Sequence, residues 1–165
     1  MMIRTHLCLS LLVVALASSA PARAADEPTS KDLKALFEKA ETIEVYSLDP
    51  SFEDKEPDPK KGFHGWKILG KTTIRDAKAR TKLVEGMYKG LAESDGTVAK
   101  CFNPRHGIRA TVDGKTADVV ICFECYQMQF VVGAASKTEP TTRAPEKLLD
   151  EVLTAAGVPL AGKKK

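Results

Sequence analysis

Four side chains capable of thiol or metal chemistry fall within one stretch, CFNPRHGIRATVDGKTADVVICFEC: Cys101, His106, Cys122 and Cys125. Their spacing is Cys101-x4-His106, a gap of fifteen, then Cys122-x2-Cys125. Three thiolates and an imidazole are a donor set for tetrahedral zinc; the leading expectation is no cofactor, with zinc as the alternative. The same cysteines also admit a disulfide from Cys101 to Cys122 or Cys125, which leaves one thiol over. A third chemistry is thiol redox at the Cys122/Cys125 pair.

Local geometry separates these readings. Residues three apart on a regular strand point to opposite faces, so Cys122 and Cys125 converge only across a bulge or a turn. A redox-active CxxC normally opens a helix, where free amides and the dipole stabilise the attacking thiolate, whereas this one ends an apolar β run. Tyr126 stands where the histidine of a haem-binding CxxCH would be. A cysteine–histidine hydrolase lacks a third, orienting residue. There is no phosphate-binding glycine loop, no serine-centred elbow and no HExxH. The expectation is a non-catalytic domain in which Cys101 staples the chain to the following strand, with the Cys3His zinc site and thiol redox as alternatives. His106 has a plain structural reading as a half-buried ring bonded to backbone. His64 lies in a Gly62-Phe63-His64-Gly65-Trp66 corner that nothing in the sequence places near the hairpin, and Arg105 suits a surface salt bridge.

The elements that must hold these residues follow from periodicity. Ser30 caps a helix whose Leu33, Leu36, Phe37 and Ala40 share a face. Residues 42–48 alternate as a strand, 49–65 read as an exposed loop rich in proline and charge, and Trp66, Ile68, Gly70, Thr72 and Ile74 share a face of a second strand. Asp76 opens a helix with Leu83, Val84, Met87 and Leu91 inward and with Gly86 and Gly90 in its interior. Asp113-Gly114 is a two-residue turn that sets Arg109 opposite Asp118, Ile108 opposite Val119 and His106 opposite Ile121. The second arm is read as one long strand running to Val132, bulged near 123–125, with an edge suited to a homodimer contact or covered by another element. Pro145 starts a last helix that ends at Gly157. The expected fold class is therefore α+β, a small antiparallel sheet of about four strands packed on helices in the order α-β-β-α-β-β-α.

Residues 1–24 read as a secretory signal peptide: Arg4, the apolar run from Leu7 to Ala17, then Ala22-Arg23-Ala24 as a cleavage site. Cys8 leaves with it and sits at the start of the apolar run rather than after it, so it does not read as the acylated cysteine of a lipoprotein. The remainder reads as a single domain over 25–160 and a basic tail over 161–165, in a periplasmic or secreted protein with no later membrane span. Without the leader, 25 basic residues fall to 23 against 22 acidic ones, so the charge carries no argument for nucleic acid.

The block CFNPRHGIRA followed by VVICFEC resembles small exported bacterial proteins, some from planctomycetes, that carry a CFxPRHG…CFxC hairpin. The likeness covers residues 41–132, and Cys101, Pro104, His106, Gly107, Cys122 and Cys125 match its motif. It implies a defined domain built on this hairpin and implies no activity.

Overall fold

The computed structural model describes residues 29–53 and 62–162. The expected signal peptide, the centre of the expected 49–65 loop and Lys163–Lys165 lie outside the described residues. The elements are α1 (Ser30–Lys39), β1 (Ile43–Glu53), β2 (Gly62–Phe63), β3 (Trp66–Ile74), α2 (Ala77–Ala92), β4 (His106–Val112), β5 (Lys115–Cys122), β6 (Gln127–Val132), β7 (Ala135–Pro140) and α3 (Glu146–Ala155).

The α+β expectation of a four-stranded sheet in the order α-β-β-α-β-β-α is corrected. Among the described residues there is one seven-stranded antiparallel sheet, ordered β2-β3-β1-β4-β5-β6-β7, curled into a half-barrel and accompanied by three helices. Three local events account for the difference. His64-Gly65, both at positive φ (51° and 85°), make a two-residue turn that pairs the short β2 with β3. The single long strand expected through 123–125 is instead reversed there, so that β5 and β6 are separate and paired in register Cys122↔Gln127. Gly133-Ala134 then reverses the chain again, and the polar segment ASKTEP becomes β7. The edge imagined on 125–132 is consequently covered by β7, whose own Lys137 and terminal Pro140 suit an outer strand.

The Asp113-Gly114 hairpin has the register read from the sequence, with Arg109 opposite Asp118 and His106 opposite Ile121. Its alternation sends Ile108, Ala110, Ala117, Val119 and Ile121 into the main core with Ile43 and Val45 of β1, Met128 and Phe130 of β6, and the apolar stripes of α1, α2 and α3. The opposite face of the sheet is also filled. Tyr46, Leu48, Phe63, Trp66 and Val120 form a second cluster, with Ile68 and Phe102 against it. That placement corrects the single apolar face expected for 66–74. An extra residue in β3 between the pairs Ser47↔Gly70 and Leu48↔Ile68 inverts the alternation, so Trp66 and Ile68 face away from Ile74.

The helix ends are chemically specified. Asp76 accepts a hydrogen bond from the Ala79 amide at 2.8 Å and so caps α2. At the end of α3 the Val158 amide donates to the Leu153 carbonyl and the Gly157 amide to that of Thr154, with Gly157 at φ 71°, the Schellman arrangement.

Candidate functional site

Cysteine 122 is the last residue of β5, and Phe123, Glu124, Cys125 and Tyr126 form the turn into β6. Two backbone bonds close that turn, Cys125 N–H to Cys122 O at 3.3 Å and Tyr126 N–H to Phe123 O at 3.4 Å, with Tyr126 at φ 56°. The turn removes the geometric objection to CxxC on a strand. Reversal of the chain brings the Cα atoms of Cys122 and Cys125 to 5.2 Å.

Cys101 reaches the same point from the irregular segment before β4, which is pinned on both sides. On one side the Ala99 amide donates to Cys125 O at 3.0 Å, and the Gln127 side chain donates to Ala99 O at 2.8 Å. On the other, the Arg105 amide donates to Ile121 O at 3.2 Å while Arg105 O accepts from the Leu48 amide at 2.9 Å. The Cα atoms of Cys101 and Cys125 are 5.7 Å apart, and both cysteine pairs span distances that disulfides use. The Sγ atom of Cys125 touches the sulfurs of both Cys101 and Cys122, and all three sulfurs lie within 4.8 Å of one another.

Cys122 and Cys125 are fully buried, whereas Cys101 is partly exposed. The Asn103 amide donates to Cys122 Sγ at 3.3 Å, a contact that favours negative charge on that sulfur. Arg105 does not turn toward the sulfurs. Its guanidinium pairs with Glu124 of the turn at 2.7 Å, which ties the Cys101 segment to the hairpin tip.

His106 is not part of the sulfur group. It faces the helix side of the sheet, 3% exposed, where its Nε2 lies 2.8 Å from Asp150 of α3 and its ring meets Phe123 edge-on at 5.4 Å. Its Nδ1 and the Oγ of Ser47, the residue opposite it on β1, are buried with no hydrogen-bond partner. Of the four residues grouped from the sequence, the fold assembles three. A metal at this corner would take three thiolates and leave one coordination position to a ligand other than His106.

His64 goes elsewhere again. Its Nε2 is 2.7 Å from Asp118 Oδ2, and the same carboxylate accepts two bonds from Arg109, each 2.7 Å, so one aspartate binds the β2–β3 turn to the central hairpin. Burial alone would raise the Asp118 carboxyl, but the bonds and charges of Arg109 and His64 outweigh it and hold it below its ordinary range. Phe63, beside His64, stacks on Tyr46 at 4.4 Å and covers Gly107, where a Cβ would come within 2.6 Å of the ring.

The turn that carries Cys125 also borders a groove of about 360 Å³. Tyr126 forms one wall, and Glu93, Asp95, Thr97 and Thr142 lie across from it. Sequence reasoning missed this surface, because Tyr126 reads as one more residue of an apolar strand until the turn exposes it. No family model, no curated protein and no solved structure matches the chain. Among the described residues no helix is long and apolar enough to cross a membrane.

Proposed function

We propose that this chain is an exported, non-catalytic binding domain in which the three-cysteine corner is a covalent staple. The observation that carries the reading is a shared turn. The four residues after β5 include both Cys125, within 4.8 Å of two other sulfurs, and Tyr126, which lines a groove. A groove of about 360 Å³ falls in the size range of small-molecule sites. A cross-link at its edge keeps the wall from moving and lowers the ordering cost of binding.

A second reading, a zinc-binding protein, has its own support in three thiol donors within 4.8 Å. Thiol counting, intact mass before and after reduction, and elemental analysis on the mature protein separate the two. One free thiol, a gain of two hydrogens on reduction and no metal support the staple. Three masked thiols with stoichiometric zinc overturn it in favour of the metal site. In that case Cys122→Ala abolishes zinc binding and His106→Ala, at a residue bonded to Asp150, retains it.

A further inference from the structure

We infer that the three sulfurs form a thiol–disulfide exchange site in which Cys125 is the central atom and Cys101 is the thiol offered to a disulfide-bearing partner. The inference rests on the staple reading, since it needs one S–S bond within the corner.

Valence is the starting point. A sulfur atom takes part in one disulfide, yet Cys125 has two cysteines at Cα separations that a disulfide spans, 5.7 Å to Cys101 and 5.2 Å to Cys122. One bond therefore leaves a third sulfur within 4.8 Å of the bonded pair, the proximity that exchange requires. In one form the bond joins Cys101 to Cys125 and Cys122 is the thiol. Cys122 gives up its proton and its thiolate attacks Cys125 Sγ. The Cys122–Cys125 bond forms as the Cys101–Cys125 bond breaks, and Cys101 leaves with the electron pair and takes the proton that Cys122 lost, the two sulfurs lying within 4.8 Å. Nothing is oxidised or reduced overall, so no external agent is needed.

The two forms differ in what they show to solvent. With Cys101 bonded, the thiol left over is Cys122, which is buried and receives the Asn103 amide. With Cys122 bonded, the thiol left over is Cys101, which is partly exposed. Its thiolate can then attack an exogenous disulfide, forming a mixed disulfide at Cys101 and expelling the other half as a thiolate. The partner supplies the oxidant. Short sequence separation, three residues for Cys122–Cys125 against 24 for Cys101–Cys125, lets the first pair close within the turn and leaves the Cys101 side chain unbonded.

The test uses the mature chain, alkylated in the native state, quenched in acid, relabelled after unfolding with a second reagent and mapped without reduction. Both Cys101–Cys125 and Cys122–Cys125 linkages are expected, with native labelling at Cys101 alone. Glutathione disulfide, used as the probe, should place glutathione on Cys101. Cys122→Ser should lose both the native labelling and the glutathione, because Cys101 then stays bonded to Cys125. A single Cys101–Cys125 linkage in the wild-type chain, with no native label and no glutathione adduct, overturns the inference and leaves the staple standing. Three thiols held by metal, with no linkage, would overturn the staple and the inference together.

Discussion

The residues with most to say are those whose chemistry is committed to a neighbour. Gly107 leaves room for the Phe63 ring, and a Cβ there would sit 2.6 Å from it. Gly107→Ala should therefore cost about 1–3 kcal/mol by forcing Phe63 off the sheet, read as a lowered urea midpoint. Ser47 Oγ is buried without a partner, so Ser47→Ala is expected to leave stability unchanged or raise it by about 1 kcal/mol. Asp118 supplies a pH dependence. Its folded carboxyl titrates below the unfolded one, so its contribution is complete above the unfolded value and lost as pH falls through the folded value. The stability gap between wild type and Asp118→Asn should narrow as pH is lowered through that window. A gap that stays constant would remove Asp118 from the account of acid sensitivity. The residue types at the cysteine corner were legible because cysteine is chemically conspicuous. The Asp118 contact with His64 was not, since 54 positions separate the two and only the curl of the sheet closes that distance.

At the scale of elements, the parts read correctly were those whose signal is local. The Asp113-Gly114 turn sets its own register, the Asp76 cap of α2 lies within a few residues of the apolar stripe it starts, and the stripe of α3 is likewise local. Parts decided by pairing were misread. The bulge in β3 appears only against β1, and β7 is a polar strand that exists because β6 offers it an edge. The two helix glycines illustrate the same limit. Each would ordinarily gain about 1 kcal/mol on becoming alanine. A Cβ at Gly90 would lie 2.8 Å from Thr141 Oγ1 and 3.0 Å from the Pro145 ring, whereas at Gly86 it meets only a Leu148 methyl at 3.3 Å. Thermal unfolding should show Gly90→Ala destabilised by about 1–3 kcal/mol and Gly86→Ala neutral or stabilised by up to about 1 kcal/mol.

Across the whole molecule, the cysteine corner joins the segment after α2 to the far end of the central hairpin. In the chain-entropy description a loop closed over 24 positions is worth about 3.5 kcal/mol and one closed over three about 2 kcal/mol. Cys125→Ser, which removes both pairings, should be the most destabilised of the three serine variants. Cys101→Ser should lose only the difference, about 1.5 kcal/mol, and Cys122→Ser almost nothing. Equal losses in all three would count against a shared central sulfur. By itself the sequence determined the local hydrophobic periods, the turn chemistry of Asp113-Gly114 and the presence of three thiols in one short stretch, because each depends on neighbours in the chain. Only the tertiary structure decided that the CxxC lies in a reversal rather than on a strand, that His106 turns to Asp150, and that seven strands pair into one sheet. Those outcomes depend on which face each strand presents to partners distant in sequence, and a single bulge or turn inverts that face without altering composition.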